Sequence, residues 1–169
     1  MPDHPEVYAA GYGCAAAPGS CAEALRAAVR KNSPVLRSAP FLTLPALADL
    51  PLGAISRAEW ERLRSGVPGG SSVYALASAA VREAQAQARA ALESVSSERL
   101  GLVLSTTKAG IDLLSSAGHA NQPLGDMPRD ALPWSLAQRL ARDIRCRGPV
   151  RCVSLACASG AAAMALGAG

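Results

Sequence analysis

A chain of 169 residues, half of them hydrophobic and 18% charged, is long enough for one domain with a real core and too apolar for disorder. The net charge of +4 comes from 17 basic against 13 acidic residues; the arginines are spaced singly along helix-like segments without aromatic companions, which argues against nucleic acid and leaves open both a solvated surface and a face for an acidic protein partner. The five cysteines (Cys14, Cys21, Cys146, Cys152, Cys157) form no C-x-x-C pair and stand at no metal-ligand spacing from a histidine, so free thiols in a reducing compartment and no metal are expected, and the lack of a leader-like start or a membrane-length apolar run points to a soluble, cytoplasmic protein with no membrane partner.

Val7 to Tyr12 has strand character, and Gly11, Gly13, Pro18 and Gly19 are the turn-formers expected where a strand hands over to a helix. Ser20 and Glu23 stand in S-x-x-E spacing, so a capping box is expected to open a helix with Ala24, Leu25, Ala28 and Val29 on its apolar face. Ser56 and Glu59 repeat the device before Trp60 and Leu63, with Gly66 as the stop. Between them, Pro34 to Pro51 holds four prolines and reads as an ordered surface connection.

Val73 to Val95 is the longest helical pattern, with small residues on nearly every face and no internal Gly or Pro. Leu100 to Ser105 is a continuous apolar run of strand length, expected to be an interior strand. After a loop-like stretch from Gly118 to Pro133, Pro133 at a first-turn position introduces a helix through Leu136, Leu140 and Ile144 that ends near Gly148 and Pro149. Val150 to Leu155 reads as another strand, and Ala158 to Gly169 as a small-residue helix. The alternation indicates an α/β layered fold.

The chemistry concentrates in Val153-Ser154-Leu155-Ala156-Cys157-Ala158-Ser159-Gly160, where a cysteine stands between an apolar strand and an alanine-rich helix, as in a nucleophile elbow. The amino end of a helix carries partial positive charge and unpaired N–H donors, which favour a thiolate and can face a developing oxyanion. Ala156, Ala158, Ser159 and Gly160 are small enough to let a thioester approach. Spacing alone leaves two readings of Cys157 open, a nucleophile and a small buried hydrophobe.

Ala156 to Gly160 (ACASG) resembles the active-site signature of the β-ketoacyl-acyl-carrier-protein synthases, in which this cysteine accepts the acyl group. Val7-Tyr8-Ala9-Ala10-Gly11-Tyr12-Gly13 with Pro18-Gly19 is similar to the opening strand and glycine turn of that family. Leu100 to Thr107 resembles its strand ending in small hydroxylated residues beside the pocket.

The resemblance implies a thiolase-like α/β fold made of two similar halves. Residues 1–169 would form a partial amino-terminal domain, layered helices around a mixed five-stranded sheet, that stops after the nucleophile cysteine and lacks the second half. It implies an acyltransferase: Cys157 takes an acyl group, its own backbone N–H serves the oxyanion, and decarboxylative condensation with malonyl-acyl carrier protein follows, in fatty acid or polyketide biosynthesis. No resident cofactor is implied, because phosphopantetheine arrives on the acyl carrier protein.

The partners implied are that carrier protein and a second copy or related ketosynthase subunit, with Cys152 and Ser154 near the dimer interface. The family's malonyl-polarising histidines belong to downstream segments, so His4 and His119 carry no catalytic role. Lys108 is either a helper for phosphopantetheine or the carrier, or an exposed loop lysine. Ser154-Leu155 before Ala156, and Thr106-Thr107-Lys108-Ala109-Gly110, depart from commoner versions and point to a specialised branch such as polyketide or aryl-polyene assembly. Two rival readings stand beside the enzyme: a truncated, non-catalytic partner subunit of a ketosynthase, and another thiolase-fold acyltransferase.

Overall fold

The computed structural model describes residues 6–36, 50–67, 70–115 and 131–168, which divide into two compact units. The first is made of the described residues of Met1–Ala10, Ser71–Tyr74 and Arg89–Gly169; the second, of those of Gly11–Gly70 and Ala75–Ala88.

The first unit is organised by two strands, β1 (Leu102–Ser105) and β2 (Val150–Val153), which pair in parallel with Leu102 opposite Val150 and Ser105 opposite Val153. Parallel strands need a crossover, and here it includes α5 (Asp112–Ser115) and α6 (Pro133–Asp143). Pro133 occupies the first turn of α6, where its missing N–H costs nothing. The stripe Leu136, Ala137, Leu140 and Ala141 is fully buried at helical spacing. Beyond β2, α7 (Ser159–Ala168) packs on the face of the sheet that carries Val103, close enough that a Cβ at Gly167 would touch the Val103 methyl at 4.0 Å.

A further polar knot belongs to this unit. Buried Ser71 accepts from the Tyr74 N–H at 3.0 Å, and Asp112 Oδ2 accepts from the Ser72 N–H at 2.8 Å, so two side chains satisfy the opening donors of α3 (Ser72–Gln87). The Tyr74 hydroxyl donates to Asp143, and the Arg139 guanidinium lies 3.8 Å from the centroid of the Tyr74 ring.

The second unit contains α1 (Ala22–Arg30), α2 (Arg57–Ser65) and the body of α3. Positions 80, 83, 84 and 87 of α3 share one face, and the glycine-rich segment lies along it. A Cβ built on Gly13 would stand 1.9 Å from the Ala80 carbonyl oxygen, and one on Gly11 would stand 2.4 Å from that of Ala84. Both positions therefore exclude any side chain.

Polar contacts fix the same approach. Gln87 Oε1 accepts from the Tyr12 N–H at 3.2 Å, while the Glu83 carboxylate accepts from the Cys14 N–H at 2.9 Å and from the Ala22 N–H at 2.8 Å. Ala22 opens α1, so Glu83 places negative charge at a helix amino end, where it is favoured. Burial, with the Glu83 carboxylate nearby, pushes the Cys14 thiol up.

Several expectations are corrected. Val7 to Tyr12 forms no strand among the described residues; the N–H groups of Tyr12 and Cys14 are taken by side chains of α3, not by a sheet edge. The capping box at Ser20 does not form: Cys21 is the N-cap, its sulfur accepting from the Ala24 N–H at 3.4 Å, because the Ser20 hydroxyl is engaged by Glu59 and Arg62. Leu25 and Val29 are exposed. At α2 the Ser56 hydroxyl does accept from the Glu59 N–H, at 3.3 Å, and Gly66 ends the helix.

The single helix expected from Val73 to Val95 breaks at Ala88 into α3 and α4 (Arg89–Glu93). The strands expected at Leu100–Ser105 and Val150–Leu155 shorten to β1 and β2, and the sheet has two strands among the described residues. Most of Pro34–Pro51 and Gly118–Pro133, with His4 and His119, lie outside the described residues.

Two outcomes follow for the second unit. Gly13→Ala drives a Cβ into backbone and is expected to lower unfolding free energy on the order of 3 kcal/mol, the upper end for overpacking, in urea denaturation. Gly53→Ala, with nothing within 4 Å of its new methyl, is the neutral control. The Arg62 guanidinium, hydrogen-bonded to Glu59, holds that carboxyl below its ordinary value of 4.5. A depressed folded value means that Glu59 contributes stability above pH 4.5 and loses it as pH falls through the folded value. The stability difference between wild type and Glu59→Gln is therefore expected at neutral pH and to shrink on acidification.

Candidate active site at the carboxyl edge of the sheet

Because β1 and β2 are parallel and in register, both chains leave the sheet at the same edge, which is where open α/β sheets place their sites. The Thr106 N–H donates to the Val153 carbonyl at 3.1 Å, extending the ladder one residue beyond β1. Thr106 Oγ1 then accepts from the N–H of Ala109 at 2.9 Å, and the buried Ala109 adopts φ 46°. Lys108 is exposed on this turn.

From β2 the chain enters the elbow. Leu155 has φ −130° and ψ 40°, Ala156 adopts φ 48°, and a single 3-10 turn over Ala156–Ala158 leads into α7. A non-glycine residue in the left-handed region costs roughly 1–2 kcal/mol, and such strain is held only where surrounding contacts over-determine it.

The holding contact is Ser159. Its buried hydroxyl accepts from the Leu155 N–H at 2.7 Å and donates to the Ala156 carbonyl at 2.8 Å. The Ser159 N–H also bonds the Ala156 carbonyl, and the Ala158 N–H donates to Leu155 O at 3.0 Å. One hydroxyl thus clamps both sides of the strained residue.

Cys157 lies on the 3-10 turn with its side chain exposed. Gly160 leaves open space, with no heavy atom within 4 Å of where a Cβ would stand. Cys157 and the position of Gly160 are therefore both open to solvent. Cys152, on β2, is half-buried, and burial pushes its thiol up. Among the described residues no group of three or more His, Cys, Asp or Glu side chains is placed to hold a metal ion, and no helix is long and apolar enough to cross a membrane.

α7 is apolar on every side apart from Ser159 at its start. Met164 is 73% exposed and Leu166 51% exposed, and Leu155 before the elbow is exposed too. A helix apolar all round is ordinarily a buried one, and this one is partly exposed.

No protein-family model and no curated protein matches the chain. Solved structures do. The ishigamide ketosynthase/chain length factor superposes with a TM-score of 0.73 at 18% identity, over 94% of this chain and 46% of that one. The ketosynthase ApeO in complex with its chain length factor ApeC, from Xenorhabdus doucetiae, gives a TM-score of 0.67 at 20% identity, over 99% of this chain and 44% of that one.

The fold is ketosynthase-like. The chain spans just under half the length of those neighbours' chains. Within this ketosynthase-like fold, Cys157 is legible from the sequence, whereas Ser159 reads there only as a small residue. The readable signal was a serine two positions after the cysteine and three after Ala156, at the spacing that lets a hydroxyl reach back to a turn.

Ser159→Ala removes the clamp and leaves the Leu155 N–H without that acceptor. The expected cost is about 1 kcal/mol in unfolding free energy, with faster amide exchange at Leu155 and Ala156 by hydrogen-exchange mass spectrometry.

Proposed function

We propose that this chain is a ketosynthase-fold subunit that works against a second ketosynthase-fold polypeptide, as a ketosynthase does against its chain length factor, in assembly of polyketide-type or aryl-polyene-type chains. The observation that carries this reading is the exposed apolar face of α7, with Met164 and Leu166, directly behind the elbow. Apolar area of that kind beside a site calls for a covering protein surface. The likeness to two ketosynthase and chain length factor structures supports the nature of that cover.

A second reading, in which the subunit is itself a condensing acyltransferase, is favoured by the exposed thiol of Cys157 on a strained elbow. In it the Cys157 thiolate attacks the thioester carbonyl of an acyl group on the phosphopantetheine of an acyl carrier protein. The carbonyl oxygen takes the charge, with the Cys157 backbone N–H as one donor. Collapse expels the carrier thiolate, which takes up a proton, and leaves an acyl-cysteine thioester. Decarboxylation of a malonyl unit and carbon–carbon bond formation then need polarising groups in addition to Cys157.

One experiment separates the two. The protein is incubated with an octanoyl-acyl carrier protein and read by intact mass. An adduct of one acyl group on wild type, absent from Cys157→Ala, is the outcome expected for the acyl-accepting reading. Equal labelling of the variant removes Cys157 from that role. No labelling of either, with the protein held in a stable complex with a ketosynthase-fold partner, is the outcome expected for the non-catalytic subunit.

A further inference from the structure

The amino edge of the sheet, opposite the elbow, brings Arg99 to the turn that holds three further arginines. Arg99 precedes β1, while Arg142, Arg145 and Arg147 lie between the last turn of α6 and the start of β2. The two segments are stapled together: the Arg147 N–H donates to Ser97 O at 2.8 Å, the Gly148 N–H to Leu100 O at 3.0 Å, and the Cys146 thiol to Leu100 O at 2.7 Å. Gly148 is required there, because a Cβ would stand 2.6 Å from the Leu100 oxygen and 2.7 Å from that of Glu98. All four arginines are exposed.

The backbone at Arg145 is the second observation. After α6 the Arg145 N–H bonds Arg142 O at 3.1 Å and the Cys146 N–H bonds Ala141 O at 2.8 Å, the paired closure of a Schellman motif, whose left-handed residue is usually glycine. Here it is Arg145, at φ 57°. The chain closes α1 with the same motif, its N–H groups on Asn32 and Ser33 bonding Val29 O and Ala28 O, and there the left-handed residue is Asn32 at φ 46°, a type that tolerates the conformation. A long cationic side chain thus stands at a position where glycine would be less strained.

We propose that this arginine knot is a docking surface for an acidic face of another protein. Arginine pairs bidentately with carboxylates, and complementary charge steers association and fixes register. Two acids sit within the knot, Asp143 and Glu98, the latter 3.6 Å from the Arg147 guanidinium in an exposed pair. These turns carry no aromatic side chain beside the arginines, which favours the carboxylates of a protein over nucleic acid. The strands separate this edge from Cys157 by about 13 Å of extended chain, so the surface is distinct from the elbow and does not rest on the proposed function.

The test measures binding of fluorescent poly-L-glutamate and of a 20-base-pair DNA duplex by anisotropy at several salt concentrations. Arg142→Ala/Arg145→Gly/Arg147→Ala is compared with Arg26→Ala/Arg30→Ala/Arg57→Ala, which removes the same charge from the second unit. Poly-L-glutamate affinity is expected to fall at least tenfold in the first variant and less than twofold in the second. Equal weakening in both would reduce the effect to net charge and overturn the proposal, as would no binding by wild type. Tighter binding of the duplex than of poly-L-glutamate, lost with the same arginines, would make the surface one for nucleic acid and also overturn it. Arg145→Gly alone is expected to raise the melting temperature while weakening poly-L-glutamate binding. A lowered melting temperature would show that Arg145 serves the fold and not a partner.

Discussion

The parallel, in-register pairing of β1 with β2 is the constraint on which the rest of the first unit depends. It sends Thr106 and the Cys157 elbow out at one edge and brings the Ser97–Leu100 and Arg145–Pro149 turns together at the other. A one-residue slip would turn the side chains of one strand to the opposite face of the sheet. It would also separate the Thr106 N–H from the Val153 carbonyl that joins the two carboxyl-edge turns. The strained backbone at Ala156 and its Ser159 clamp are then local consequences of turning a chain sharply from that fixed strand end into α7.

In the second unit the equivalent constraint is the close approach of the glycine segment to one face of α3. Ala80 and Ala84 make room, Glu83 and Gln87 supply acceptors for otherwise unpaired N–H groups, and Gly11 and Gly13 have no side chain to interfere. The same Glu83 carboxylate reaches the amino end of α1, so one buried-edge acid organises both the loop and the helix that follows. Glu59 does similar service for Ser20, with Arg62 closing the group.

Much of this was legible in sequence where local chemistry decides the outcome. Pro133 marked the start of α6, the apolar runs marked β1 and β2, and the ACASG segment placed Cys157 at a strand-to-helix junction; the likeness to ketosynthase structures agrees with the coarse fold class. What was not legible is set by contacts distant in sequence. Ser20 looks like a cap until Glu59 claims its hydroxyl, and Val7 to Tyr12 looks like a strand until side chains of α3 take the N–H groups at its end. The five-stranded sheet was an expectation of the family resemblance, and two strands are present among the described residues. Arg142, Arg145 and Arg147 are neighbours in sequence, but nothing local reveals that the turn holding Arg99 is stapled to theirs.

Native-state thiol labelling reads out whether the strained elbow presents Cys157 to solvent at the carboxyl edge of the sheet. With a maleimide reagent and peptide mapping, Cys157 is predicted to react, together with exposed Cys21, while half-buried Cys14, Cys146 and Cys152 remain unmodified. Labelling of Cys157 only after denaturation, in step with those three, would mean that the elbow buries the thiol.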